Sequence, residues 1–297
     1  VTSGTLLTLA PTGAESAKAD VPALPVTVEE VVATARDCAA LGAAVLHLHV
    51  RGVDTRPTLD LPRVREVVAA VRDSADLVVQ LSTGGAVTDP AEARLAVLDA
   101  EPDAASLSLG TVNFGRDVFH NPWDLIVELH TQMQQRGIVP EYEVFDLGHL
   151  ATLSRLLDRH GPPHGGHVHV DLVMGVPGGM PGTTAALAAC LPVLPPGATF
   201  AATGVGRTSL PVMLAALSAG GHLRVGMEDT LSYAPGEPVR DNAQLVARAA
   251  GLARIAQRPP LTPAEARQLL GITPAPRPTT PAPLTSPRPT TPAEVTR

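Results

Sequence analysis

Aromatic residues are scarce in this chain: four Phe, two Tyr and one Trp among 297 residues. With a net charge of −7 and scattered Lys and Arg, that scarcity argues against a stacking, basic surface for nucleic acid. Cysteine is nearly missing. Cys38 and Cys190 fall in helix-like stretches and read as small buried hydrophobes, which argues against a disulfide frame or a cysteine metal site. No apolar run attains the roughly 18 residues of a membrane span, and Val1-Thr2-Ser3-Gly4 opens no charged-then-apolar leader, so a cytoplasmic protein is expected. Charged residues are few at 17%, while hydrophobic residues reach 44%, which suits a globular chain with one barrel-sized core or two ordinary ones. Proline is plentiful but uneven. From Thr273 to Arg297 Pro and Thr repeat with almost no large apolar side chains, too little to offset the entropy of ordering. The expectation is a folded domain over 1–271 and a disordered Pro/Thr-rich tail over 272–297.

Within the domain, short β-like runs alternate with longer helical patterns, the signature of a parallel sheet. Strands are expected over Thr5 to Ala10, Ala43 to Val50, Leu77 to Leu81, Ala105 to Leu109, Val139 to Phe145, Val168 to Met174, Thr199 to Thr203 and His222 to Met227. Each is followed by a helical stretch. The first runs from about Thr27, where Thr27-Val28-Glu29-Glu30 resembles a capping box, to a stop at Gly42; another starts at Asp89-Pro90, and a last short one at Thr262. Eight β-then-α units in about 257 residues predict a closed (β/α)₈ TIM barrel rather than an open doubly wound sheet.

The second strand reads Val45-Leu46-His47-Leu48-His49-Val50. Alternation of side chains puts both imidazoles on one face and the leucines on the other. Two histidines then point at one place, and Glu228, in Arg224-Val225-Gly226-Met227-Glu228-Asp229 at the end of the eighth strand, offers a third ligand. The competing reading of Glu228 is an ordinary capping or ion-paired acid. Asp229, next along the chain, is left free as a general base. Glu15, Ser82, Thr111, Glu143 and the Glu228/Asp229 pair all fall at or past strand C-termini, the rim that holds active sites in barrels. Ser82-Thr83-Gly84-Gly85 suits a carboxylate or phosphate oxygen, or is a plain Gly-rich turn. Gly204-Val205-Gly206-Arg207 lacks the third glycine of a dinucleotide fingerprint and fits an anion seat with Arg207 reaching a phosphate. His164, His167 and His169 read as solvated or substrate-adjacent, and His222 as structural.

These motifs resemble the β-keto acid cleavage enzymes, the family that includes the 3-keto-5-aminohexanoate cleavage enzymes of lysine fermentation. The resemblance runs from about Leu7 to Gly271 and is carried by Ala10-Pro11-Thr12-Gly13-Ala14-Glu15, His47-Leu48-His49-Val50-Arg51, Ser82-Thr83-Gly84-Gly85, Ser106-Leu107-Ser108-Leu109-Gly110-Thr111 with Asn113-Phe114-Gly115, Pro140-Glu141-Tyr142-Glu143-Val144-Phe145-Asp146, and Gly221-His222-Leu223-Arg224-Val225-Gly226-Met227-Glu228-Asp229. It implies a metal-dependent barrel, usually a homotetramer, that exchanges acyl groups between a β-keto acid and acetyl-coenzyme A. Zinc would be held by His47, His49 and Glu228. Asp229 would take the C2 proton, with Arg224 positioning it and offsetting developing charge. Ser82, Gly85 and Thr111 would hold the substrate carboxylate, and Glu15 and Glu143 would face its variable end, favouring a cation such as the amine of 3-keto-5-aminohexanoate. Ser108 stands where many relatives carry Asn, and Thr230-Leu231 follows Asp229 where Asn often comes first. Two other readings compete: a coenzyme-A-independent metal hydrolase or aldolase on the same ligands, and a non-catalytic barrel that binds an anion.

Overall fold

The computed structural model describes residues 4–273, so all but the first two residues of the expected tail lie outside the described residues. The first half of the chain runs β1 (Leu7–Leu9), α1 (Val28–Leu41), β2 (Val45–Leu48), α2 (Leu61–Ser74), β3 (Val78–Leu81), α3 (Ala91–Ala96), β4 (Ala104–Ser108), a hairpin of β5 (Val112–Phe114) and β6 (Asp117–Phe119), and α4 (Trp123–Arg136). It continues through β7 (Val139–Val144), α5 (Leu147–His160), β8 (His169–Met174), α6 (Thr184–Cys190), β9 (Thr199–Gly204), α7 (Ser209–Ser218) and β10 (His222–Val225). A second hairpin, β11 (Ser232–Ala234) with β12 (Glu237–Pro238), then leads to α8 (Asn242–Ile255) and α9 (Pro263–Leu270).

Eight strands close in the order β1-β10-β9-β8-β7-β4-β3-β2, every pairing parallel, as a (β/α)₈ barrel. Local chemistry sets the boundaries. Thr27 accepts the Glu30 backbone N–H while the Glu30 carboxylate takes that of Thr27, and the helix stops at Gly42 in the left-handed region with φ of 115°. The same reciprocal cap starts α9 at Thr262 and Glu265. No described helix is long and apolar enough to cross a membrane.

Alternation along each strand divides the interior. Outward residues such as Leu46, Leu48, Val79, Leu107, Tyr142 and Leu172 pack under the helices in one large cluster. Inward residues differ by level. At the N-terminal end Leu6, Val45, Val78, Ala104 and Val139 meet Leu261, Ala266, Leu270 and Ile272, so α9 and its flanks plug that end with apolar groups. Higher up, the interior is polar, with Thr8, His47, Gln80, Ser106, Glu141, Asp171, Thr203 and Arg224 all buried.

Two strands stop two residues earlier than expected. β2 ends at Leu48 and β10 at Val225, leaving His49 and Glu228 on backbone that has left the ladder. Between β4 and α4 the chain forms a hairpin that no periodicity in the sequence announces. Its Val112 and Phe119 are buried across from one another, and Gly115 turns it with φ of 66°.

Candidate active site

Glu228 reaches the His47/His49 pair because the chain passes β1 at contact distance. A Cβ on Gly226 would sit 1.8 Å from the Ala10 carbonyl oxygen, and one on Gly13 (φ 62°) would sit 2.7 Å from Glu228 Cγ. Only glycine fits at either point. Glu228 Oε1 thus lies 3.5 Å from His49 Nε2 and 3.7 Å from His47 Nε2, with the candidate ligand atoms of all three side chains within 4.8 Å of one another. These separations are too long for hydrogen bonds and close to the roughly 3.3 Å between neighbouring ligand atoms about 2.0–2.1 Å from a tetrahedral ion. His47 Nε2 and Glu228 Oε2 are buried without any hydrogen-bond partner. Burial, with the nearby Arg224 charge, lowers the His47 imidazole to about 4, so it is neutral at pH 7 with a lone pair to offer. Among the described residues this is the one group of three or more His, Cys, Asp or Glu side chains so placed. Two imidazoles and a carboxylate that converge, with His47 Nε2 and Glu228 Oε2 left unsatisfied, fit a divalent metal.

Arg224 organises the acids beside this set. Its Nη1 donates to Glu143 Oε1 at 3.0 Å, Nε and Nη2 donate to the two Asp229 oxygens at 3.2 and 3.0 Å, and Nη2 also holds Glu228. Asp171 is 3.8 Å away and accepts from Thr203. One guanidinium therefore faces four carboxylates, and they raise its pKa further despite burial. Burial pushes Glu228 up, but Arg224 and the two histidines override it and hold the carboxyl well below the usual range. Burial pushes Asp229 up to about 7, against the pull of Arg224 and helped by Glu228. Glu143 is fixed from its other side by Ser108 Oγ at 2.9 Å.

A cavity of about 230 Å³ opens over these groups at the C-terminal mouth of the barrel. Its floor is His49, Ser82, Gly84, Gly85, Glu143, Arg224, Glu228 and Asp229, and Glu15 stands exposed at its rim. The Ser82 hydroxyl oxygen accepts the Gly84 N–H, which leaves its own O–H free to donate into the cavity. The other wall is apolar: Val87, Phe114, Phe119, Phe145, Val173, Val176 and Val205. Three of the four phenylalanines of this aromatic-poor chain lie there, with ring centroids 6.2–6.3 Å apart and edge to face.

The structure therefore brings together His47, His49, Glu228, Asp229, Arg224, Glu143, Ser82, Gly85 and Glu15. Thr111 does not line the cavity; its hydroxyl accepts the Asn121 N–H at 2.9 Å, tying down the far side of the hairpin. Arg207 is exposed on a single helical turn before α7 and stands clear of the cavity, whereas its neighbour Gly206 donates to the Asp229 carbonyl. His169 is neither solvated nor beside the cavity. It is fully buried in the barrel interior against Thr199 and His222, because β8 begins there. His222 is structural, its Nδ1 accepting the Leu6 N–H.

Sequence reasoning missed the apolar wall, Gln80 and Asp171. Two signals were present: Gln80 shares the strand face of Ser82, and Asp171 is the lone acid in the run from Val168 to Met174.

Known proteins place this arrangement. A solved structure, "Apo structure of ObcA", shares the fold with a TM-score of 0.75 at 22% identity, covering 84% of this chain and 66% of that one. The 3-keto-5-aminohexanoate cleavage enzyme of Acetoanaerobium sticklandii is 38% identical over 274 residues, covering 90% of this chain and 98% of that relative. The 3-oxoadipate:acetyl-CoA acetyltransferase of Cupriavidus necator is 35% identical over 92% of this chain and 96% of its own length. The family model described as beta-keto acid cleavage enzyme matches residues 5–272, so the barrel that carries the His47, His49 and Glu228 cluster belongs to the beta-keto acid cleavage enzyme family.

Proposed function

We propose that this chain is a zinc-dependent acyltransferase that condenses a β-keto acid with acetyl-coenzyme A, giving acetoacetate and a new acyl-coenzyme A. The observation that carries the reading is the convergence of His47, His49 and Glu228, with buried unpartnered ligand atoms, beside an Asp229 carboxylate held by Arg224. The names of the curated relatives support the reaction class: two are 3-keto-5-aminohexanoate cleavage enzymes, and others are named as acetyl-CoA-dependent transferases of keto acids.

A divalent ion held by the three ligands would act as a Lewis acid on the 1,3-dicarbonyl of the substrate and make its C2 proton more acidic. Asp229 takes that proton: it is buried, oriented by two Arg224 hydrogen bonds, and raised to about 7, near the optimum for a base at neutral pH. Arg224 turns its charge toward the acid that has gained the proton and the oxygen that gains negative charge. The C2 carbanion attacks the acetyl carbonyl carbon, a carbon–carbon bond forms, and the coenzyme A thiolate leaves. That thiolate adds to the original ketone carbon, and the bond from that carbon to C2 breaks. Acyl-coenzyme A departs, and C2 of the released acetoacetate recovers the proton from Asp229. The Ser82 O–H and the Gly85 backbone hold the substrate carboxylate. Arg207, exposed beyond the rim, is assigned to a coenzyme A phosphate.

The substrate assigned is 3-keto-5-aminohexanoate. Glu15 at the rim suits its amine, and the valine and phenylalanine wall suits its methyl and methylene groups. A homotetramer in the cytoplasm goes with this reading and is tested by light scattering and fractionation. Incubating zinc-loaded protein with acetyl-coenzyme A and 3-keto-5-aminohexanoate is expected to yield acetoacetate; none across cationic, neutral and acidic β-keto acids overturns the function. Turnover without acetyl-coenzyme A would favour a hydrolase or aldolase on the same ligands, and a zinc-free, silent protein the anion-binding barrel.

A further inference from the structure

Beneath the cavity the polar interior continues as an ordered series of side chains. His47 Nδ1 lies 2.5 Å from Gln80 Oε1, the two residues being register partners on β2 and β3 and each about 1% exposed. An amide oxygen only accepts, so His47 carries its hydrogen on Nδ1 and its lone pair on Nε2. That Nε2 is the buried atom without a partner that faces Glu228. Were the amide turned over, its N–H would donate to Nδ1, the hydrogen would move to Nε2, and the ring could not bind a metal from that side.

What keeps the amide from turning lies behind it. The Glu141 carboxyl, 4% exposed, lies beside Gln80, and its Oε1 is buried without a hydrogen-bond partner. In either protonation state such an oxygen can accept the Gln80 N–H, and a carboxylate there would repel the amide oxygen. Glu141 is backed in turn by His169, whose Nε2 stands 3.6 Å from Glu141 Oε2 while its Nδ1 is 2.8 Å from Thr199 Oγ1. Thr199 Oγ1 is also 2.7 Å from His167 Nε2, at the closed end of the barrel. His47, Gln80, Glu141, His169 and Thr199 lie on β2, β3, β7, β8 and β9, with β4 between β3 and β7, so these five are fixed by the sheet rather than by a loop.

We propose that Gln80 is a positioning residue for the metal ligand His47, and that Glu141 fixes the orientation of the Gln80 amide. The inference rests on the reading of His47 as a metal ligand. Gln80→Leu removes the acceptor without adding charge and is expected to weaken zinc binding 10- to 100-fold, read by chelator competition on the purified full chain. Gln80→Glu combined with Glu141→Gln swaps the pair: a carboxylate accepts from His47 and an amide donates to it from behind. The swapped pair is expected to return zinc affinity to within a few-fold of the wild type. The visible absorption of the Co(II)-substituted protein reads the ligand field directly; Gln80→Leu should shift it and the swapped pair restore it, which general loosening of the core would not do. Thermal melts of the metal-free proteins report whether each variant folds. A wild type that holds no zinc overturns this inference together with the metal reading. A wild type that holds zinc, with Gln80→Leu holding it equally tightly and an unchanged Co(II) spectrum, overturns this inference alone, as does a swapped pair that folds yet remains as weak as Gln80→Leu.

Discussion

Asp229 sits against a guanidinium that both aims it and stabilises its charged form, while its burial favours the neutral form. That balance is what a proton carrier requires, since it must hold and release the same proton within one turnover. Asp229→Asn keeps the size and loses the proton site. It is expected to lower kcat by about 10²–10⁴-fold while leaving zinc content unchanged by elemental analysis. A second prediction concerns His222, whose Nδ1 accepts from the Leu6 backbone and whose imidazole is pushed down to about 4 by burial, with Arg258 adding. Between about pH 6.5 and 4 the unfolded chain binds a proton there that the folded one refuses, so stability is full above pH 6.5 and is lost as pH falls. His222→Asn keeps an acceptor and removes the titration. Its stability in denaturant melts should fall less steeply over that window, by up to about 1.4 kcal/mol per pH unit. At this scale the sequence was informative where side chains announce chemistry. The spacing of His47 and His49 gave their shared face, and Glu228/Asp229 stood out at a strand end. Gln80 and Asp171 passed unremarked because an inward polar residue on a buried strand reveals its partners only once neighbouring strands are in register.

The hairpin β5–β6 is the element that gives the cavity its character. It delivers Phe114 and Phe119 against Phe145, and Arg94 stacks over the Phe119 ring at 4.8 Å while holding Asn121 and the His120 carbonyl. Phe114 is the half-buried member, so its loss exposes the wall without removing a core ring. Phe114→Ser is expected to raise KM for chain-extended β-keto acids by roughly 1–3 kcal/mol equivalent, with little change for acetoacetate itself, measured by steady-state kinetics on both. The eight barrel strands and their helices were legible because period and capping agree, as at Thr27-Val28-Glu29-Glu30. The hairpin was not. Its strands are three residues each and earn their place by packing on the mouth, a tertiary effect that no local pattern carries. The surroundings of Thr111 were hidden for the same reason: the turn into the hairpin carries its hydroxyl to Asn121.

Across the whole molecule the barrel is asymmetric. One end is shut by apolar side chains, and the other opens over an acidic, metal-fitting floor. The acids that the floor concentrates are offset by the Arg224 guanidinium among them, while apolar packing braces the sheet from the closed end. Leu270, 4% exposed, is part of that brace. Leu270→Ala should cost about 2–5 kcal/mol in denaturant melts and leave KM unchanged, since it lies at the far end from the cavity.

The closed end also gathers the two extremities of the described chain. Thr5 donates to the Pro259 carbonyl and accepts from Leu261, Arg258 bonds the Gly4 carbonyl, and Ile272 packs beside Leu6. Both extremities of the described chain thus lie on the underside of the barrel, opposite the entrance. The protein is therefore suited to being tethered to a support, fused to another domain, or rejoined end to end and reopened elsewhere, with reactants still free to come and go.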